Sequence, residues 1–377
     1  MGDFIKAVDA GDDAAVRRFL EEGGADANAV DQGWPAIVGA AQGGHTATVG
    51  VLIEHTADLE AKNPDGLTAL IMTGQNGHAD TARVLAEAGA NLEAKNAEGY
   101  TPIIWAGEMG HADTARVLAE AGANLEAKKP NGFNALLAAA QNGHDKTAQV
   151  LIEHKADLEA KDRAGRTALI LAALMDHTEC IRVLLDANAA VDAQDNTGRT
   201  ALWQATLAGH AAAAELLIQR KASVDLPSGP KDRGWIAGQE EMHDTTPLHQ
   251  AVENGHLAIA QALLCGGADP SRACNGMPLL ALACRKEKFQ APMAELLIRS
   301  GSDADVFPPI DNEFNITHAA TGKPIKLKQW PRCVYLAMQA IGRHGEAMKL
   351  RARTLLHPSA ARCRLPATLP AAAIHLE

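Results

Sequence analysis

The stretch "DGLTALIMTGQNGHADTARVLAEAGANLEAKN" (65–96) is followed almost at once by "EGYTPIIWAGEMGHADTARVLAEAGANLEAKK" (98–129). The second is largely the first again, displaced by 33 residues. The same displacement runs outward in both directions. His45, His78, His111, His144, His177 and His210 keep it, and Gly33, Gly66, Gly99, Gly132, Gly165 and Gly198 each lie twelve residues before one of them. Catalytic groups do not recur at a fixed period, whereas structural units do. The chain is therefore an array before any chemistry is considered.

Each unit reads as turn, helix, turn, helix. In residues 99–122, Gly99 suits a turn position that needs an unusual backbone angle. Thr101 then serves as an N-cap, and Pro102 takes the first helical position, where its missing N–H costs nothing. Ile103, Ala106 and Gly107 follow at helical spacing, and Gly110 ends the helix. "HADTARVLAEAG" (111–122) is the second helix, with Ala115, Val117 and Leu118 on its buried side and Gly122 as its stop. "ANLEAKKPNG" (123–132) then runs to the next unit as an extended, hairpin-like connection. Helices this short do not stand alone, because nucleation costs more than so few hydrogen bonds return. Their apolar faces have to be covered by neighbouring units, which is the physics of a solenoid.

The composition agrees. Of 377 residues 47% are hydrophobic but only 3% aromatic, so small aliphatic side chains carry the core. Charge is unevenly spread. Residues 321–377 hold ten Lys and Arg against Glu346 and Glu377, while the first 320 hold 25 basic and 44 acidic side chains. The opposition is organisational and names no partner. Cys180, Cys265, Cys274, Cys284, Cys333 and Cys363 show neither CxxC nor disulfide spacing, which suits free thiols in a reducing compartment. No run of 18 apolar residues suggests a membrane span. "MGDFIKAV" lacks the regions of a signal peptide, and Lys6 stands where a myristoylation motif wants Ser or Thr. A cytoplasmic protein is expected, with the nucleus as the alternative.

The period, the glycines and the helix sequences together resemble the ankyrin repeat family. Its Thr-Pro-Leu-His signature is complete at Thr246, Pro247, Leu248 and His249, and Thr68, Thr101, Thr167 and Thr200 keep the threonine. Units are placed near 31–63, 64–96, 97–129, 130–162, 163–195, 196–226, 244–274 and 275–304, after a degenerate one at 2–30. About four-fifths of the chain is covered. The resemblance implies an all-α, elongated ankyrin-repeat solenoid of stacked helix pairs with short β-hairpin connections. The repeat array spans 1–304, with a loop insertion at about 226–243, and a non-repeat basic segment spans 305–377. Where the signature histidine belongs, Val38, Ile71, Ile104, Leu137, Ile170 and Trp203 stand instead, so apolar packing is expected there. His243 continues the spacing but falls in the insertion, and His256 is the true equivalent. Extra residues near "RKEKFQAP" weaken the unit at 275–304.

The histidine column invites a metal reading, but equivalent positions lie about 8–10 Å apart while zinc ligands lie about 2 Å from the ion. A structural role, starting each second helix, is expected. His249 and His256 with Cys265, Cys274 and Cys284 fit no ligand spacing. No HExxH, P-loop or GxSxG occurs. No cofactor, metal, catalytic group or small-molecule substrate is expected. The positions that the unit leaves free say more. One residue past each tip glycine the chain reads Trp34, Leu67, Tyr100, Phe133, Arg166 and Arg199, which are expected to point from the tips. The resemblance implies that tips and first helices line a concave protein-binding surface. It would also include Gln42, Gln75, Asn76, Glu108, Met109, Gln141, Asn142, Leu174 and Met175, flanked by Trp105. Aromatic and Arg side chains are the usual interface anchors. The competing expectation is that the tips merely pack on one another. The "LEAK" segments (59–62, 92–95, 125–128, 158–161) read as solvated charge ladders of little individual worth.

Residues 305–333 begin Pro-rich and irregular. Val334, Leu336, Met338, Ile341, Met348, Leu350 and Leu355 then recur among basic residues as one or two amphipathic helices, which suits a helical cap with a flexible end. Its scattered lysines and arginines beside an acidic body disfavour nucleic acid. The expected function is a non-catalytic protein-binding scaffold. One alternative is a substrate adaptor for an enzyme complex, such as a ubiquitin ligase, recruited through 321–377. A minor alternative is an enzyme using His344, His357 or Cys363.

Overall fold

The computed structural model describes residues 2–229, 245–272, 279–285 and 291–301, together with strand segments 315–317 and 324–326. They fall into two compact units, Met1–Ala262 and Leu263–Glu377.

In the first unit the period becomes two rows of helices. The first row is α1 (Gly2–Asp9), α3 (Ala36–Gln42), α5 (Ala69–Asn76), α7 (Pro102–Met109), α9 (Ala135–Asn142), α11 (Ala168–Leu174), α13 (Ala201–Ala208) and α15 (Pro247–Asn254). The second row is α2 (Asp13–Glu21), α4 (Thr46–Glu54), α6 (Ala79–Glu87), α8 (Ala112–Glu120), α10 (Asp145–Glu153), α12 (Thr178–Asp186) and α14 (Ala211–Gln219). Each helix packs on its pair mate and on the next helix of its own row, from α1 to α15 and from α2 to α14. The chain crosses from this unit to the second within α16 (Leu257–Cys265), so the compact division lies well before residue 304. The second unit contains α17 (Leu279–Arg285) packed on α18 (Ala291–Arg299).

Local chemistry sets the helix ends. Thr101 Oγ1 accepts from the Ile104 N–H and Pro102 follows at the first helical position, as its sequence requires. Thr68, Thr167, Thr200 and Thr246 cap in the same way, and Asn134 does so where the threonine is missing, its Oδ1 2.9 Å from the Leu137 nitrogen. Among the described helix starts only α15 has a full capping box, formed by Thr246 and His249. At the equivalent sites Val38, Ile71, Ile104, Leu137, Ile170 and Trp203 are buried at 0–3% exposure, so apolar contact replaces the histidine bonds. The Trp203 indole still donates to the Thr245 carbonyl at 3.2 Å.

Two further ladders tie each unit to the next. Nε2 of His45, His78, His111, His144, His177 and His210 meets a backbone carbonyl 36 residues earlier at 2.9–3.1 Å, as with His111 and the Gln75 carbonyl. A carbonyl can only accept, so the Nε2–H tautomer donates. These histidines do start the second helices, but they also join the units. The ring rests on a glycine: a Cβ at Gly110, whose φ is +81°, would lie 2.5 Å from His144 Nδ1. The "LEAK" glutamates form the second ladder. Glu60, Glu93, Glu126 and Glu159 each accept from a backbone N–H 31 residues on, at 2.7–2.8 Å. Lys62, Lys128 and Lys161 donate to carbonyls 33 residues on. The expected charge ladders are there and exposed, but their side chains bond to backbone of the next unit, which corrects the expectation of little individual worth: a charge-assisted bond is about twice as strong as a neutral one.

The connections are short hairpin turns. Among the described residues of the array only Val30–Asp31 (β1) and Trp34–Pro35 (β2) pair as strands. The tips from Asn63 to Arg199 close with two backbone bonds each, such as Asn63 N–H to Leu67 O and Gly66 N–H to Asn63 O. Residues 315–317 (β3) and 324–326 (β4) pair antiparallel within the stretch expected to be irregular. The expected insertion begins at Leu226, and its ends meet where Ser228 N–H donates to the Thr245 carbonyl at 2.9 Å. Residues 230–244, with His243, lie outside the described residues, as do 286–290 and the expected C-terminal helices. Among the described residues no helix is long and apolar enough to cross a membrane.

Candidate functional site

The tips decide which side chains remain available. In most of them an Asn or Asp at the foot of the turn ties the backbone down. Asn63 Oδ1 accepts from the N–H groups of Asp65 at 3.1 Å and Leu67 at 2.8 Å. Asn96, Asp162 and Asp195 repeat this arrangement. The residue after the tip glycine is therefore the returning foot of the turn. The apex lies two to three residues earlier, at Pro64 and Asp65 in this tip, and both are exposed.

This geometry corrects several expected anchors. Leu67 and Phe133 are each only 7% exposed, because the returning foot turns their apolar side chains into the array. Trp34 is half-buried on β2, opposite Asp31. Arg166 does not offer a free charge: its Nη2 lies 2.7 Å and its Nε 2.8 Å from Oδ2 of the buried Asp162. Arg199 lies flat on its own unit, with its guanidinium carbon 4.3 Å from the centre of the Trp203 ring. Tyr100 and Trp105 are half-buried. Met109 and Met175 are exposed at 43% each.

Two tips break the rule. At the foot position the sequence runs Val30, Asn63, Asn96, Lys129, Asp162 and Asp195, and Val30 belongs to the strand pair β1–β2. Lys129 cannot accept, so Asn131 Oδ1 takes over the Phe133 N–H at 3.1 Å. The lysine is buried, with its side chain 8% exposed. Its ammonium lies 2.9 Å from Glu108 Oε2 and 3.9 Å from the centre of the Tyr100 ring. Tyr100 in turn stacks on Trp105, with ring centres 4.1 Å apart and planes inclined by 18°. With Trp105 on one face of the phenol ring, the ammonium must cap the other. A cation over an aromatic face is attracted by the ring quadrupole, more strongly where water is excluded. The sequence signal for Lys129 was its departure from the Asn/Asp column, visible once the units are aligned.

Trp105 and Met109 stand four residues apart on α7, hence on one helical face. The Trp105 indole N–H is buried and has no partner among the described residues. The position of Met109 is held by Asn76 and Asn142 in neighbouring units, and each of these bonds back to the preceding unit, at the carbonyls of Gln42 and Glu108. Met109 and Met175 give up that bond and present apolar surface instead. Cys180 is buried, and burial, reinforced by the charges of Asp145 and Glu179, pushes its thiol up to about 12. Among the described residues no group of three or more His, Cys, Asp or Glu side chains is placed to hold a metal ion.

A family model comprising three copies of the ankyrin repeat matches four segments of the chain, residues 4–96, 89–162, 157–228 and 233–322. The last segment reaches past residue 304. None of the curated proteins matches the chain.

Proposed function

Since the chain belongs to the ankyrin repeat family, whose repeats generally mediate protein–protein interactions and are typically non-enzymatic, we propose that it is a binding scaffold. Its partner meets the surface around Trp105, Tyr100 and Met109. One observation carries this reading: the Tyr100–Trp105 stack, capped by the Lys129 ammonium that Glu108 pairs, is built from residues that the repeat does not need. It replaces the Asn or Asp tip bonds found in four other units, and it leaves Met109 exposed one helical turn away. A preassembled site loses little side-chain freedom on binding, so more of the contact energy appears as affinity. Met175 extends the surface two units on. Trp34 contributes at the first tip, while Leu67 and Phe133 support the tips from beneath. Arg199 offers a rim charge, and Arg166 shapes its own tip.

The experiment compares affinity capture by the wild type with capture by a Trp105→Ala, Met109→Ser variant. The expected result is loss of the specifically captured proteins, with the far-UV spectrum and melting temperature nearly unchanged. An unchanged set of captured proteins would sink the assignment of this surface. Phe133→Ala is unsuited to the purpose, since removing a buried ring destabilises the fold by about 3–5 kcal/mol.

A further inference from the structure

The apex residues of the tips carry a charge order that the fold does not demand. Asp31, Asp65 and Glu98 are exposed on the first three tips, and Arg163 is exposed on the fifth. None of the four has an ion-pair partner among the described residues. On the sixth tip the Arg199 charge is matched by the Asp195 carboxylate of the same turn, which accepts the Arg199 backbone N–H. Equivalent apex positions are filled by Pro64, Ala97, Asn131, Ala164 and Thr197, so the turn accepts uncharged residues there. The fourth tip, between the two ends, has Pro130 and Asn131 and is neutral. The lysines of the "LEAK" segments each stand beside a glutamate before the second to fifth tips and add no gradient there. The row therefore runs from negative to positive along the chain. It leans on the first-row helices that carry Trp105 and Met109, through the Tyr100–Trp105 and Arg199–Trp203 contacts.

We infer that the partner is a linear segment of charge-polar sequence: basic over the first three tips, apolar in the middle, acidic over the fifth. The inference rests on the binding reading above and names the chemistry of its partner. Neighbouring units are about 8–10 Å apart, so the first to fifth tips span roughly 40 Å. An extended segment of about twelve residues covers that span at about 3.3 Å each. Exposed ion pairs contribute little apiece. The charges thus set orientation and encounter rate, while the apolar centre supplies affinity.

The test uses three synthetic peptides of equal length with the full chain, read by fluorescence anisotropy. One has a Lys block, a Leu/Phe centre and a Glu block; the second has the same composition with alternating charges; the third has Ser in place of Leu and Phe. The block peptide should bind about tenfold more tightly than the alternating one at low salt, with the gap closing as salt screens the tips. The third should bind weakly. Asp65→Lys with Glu98→Lys should abolish the preference. Adding Arg163→Glu should restore it with the peptide reversed. Photo-cross-links from a benzophenone at the Lys end would then move from the second and third tips to the fifth. Equal affinity for block and alternating peptides overturns the inference; if Trp105→Ala still abolishes both, the binding reading stands. Absence of binding by all three also overturns it, leaving the capture experiment to decide the binding reading. A row with opposite ends also complements itself about a two-fold axis. A dimer in light scattering that Asp65→Lys with Glu98→Lys dissociates would overturn the inference in favour of a second copy.

Discussion

Lys129 shows how much one side chain can change a repeated unit. Its neighbours in the column accept two tip N–H groups; the lysine gives these up and assembles Glu108, Tyr100 and Trp105. Lys129→Asn should therefore restore the tip bonds while releasing the stack. Stability should stay within about 1 kcal/mol of wild type, because each regained bond contributes roughly 0.5–1.5 kcal/mol against the lost ion pair. Partner affinity should fall and tryptophan emission should shift. A variant that binds as the wild type does would remove the lysine from the site. Cys180 gives a second expectation at this scale. Its folded pKa is about 12 against an ordinary 9.0, so the raised value belongs to the folded state. Its contribution is fully present below pH 9 and is lost as pH rises toward 12, where the unfolded thiol ionises and the folded one does not. Denaturation midpoints should fall over that window, and Cys180→Ala should flatten the fall. Absence of any change in slope in the variant would show that the thiol is not the cause.

The helices were legible because their signals are local. Thr101, Pro102 and Gly110 mark α7 within a dozen residues, and the structure bounds it at Pro102–Met109. The spacing between helices was not legible, although it depends on a single missing atom. A Cβ at Gly107 would stand 2.5 Å from the Ala135 carbonyl oxygen, and one at Gly74 would stand 2.3 Å from that of Pro102. Successive first-row helices approach to backbone contact at these points, and the neighbour cannot yield as a flexible side chain would. Gly107→Ala should cost about 1–3 kcal/mol by overpacking, despite alanine's better helix propensity. Gly50 in α4 is the control, since a Cβ there meets nothing within 4 Å. Gly50→Ala should be neutral or stabilise by up to about 1 kcal/mol. Thermal melts of the two variants, run together, check the sign of each. The tips were read less well than the helices. Tyr100, Leu67 and Phe133 follow a glycine in the sequence, but whether such a residue points outward depends on where the turn closes.

In the first unit, cohesion is a chain of nearest-neighbour joints. Between the units at 64–96 and 97–129 the joint includes His111 to the Gln75 carbonyl and Glu93 to the Asn124 N–H. Removing both with His111→Ala and Glu93→Ala should weaken that joint by about 2–4 kcal/mol, summing a neutral and a charge-assisted bond. Chemical denaturation followed by circular dichroism should then resolve two transitions where the wild type gives one. A single cooperative transition in the double variant would place the joint's strength in apolar packing alone. The sequence by itself determined the period, the helix pairs, the glycine stops and the family, because each is written in residue types a few positions apart. It also narrowed the search to tips and first-row helices, and Met109 and Met175 are exposed there. Only the tertiary structure decided which tip residues face water. The returning foot of each turn buries Leu67 and Phe133, engages Arg166 with Asp162, and leaves the apex acids and Arg163 outside. Those outcomes depend on contacts between residues of adjacent units, about 33 positions apart, and on turn closure to a fraction of an ångström, which residue spacing does not specify.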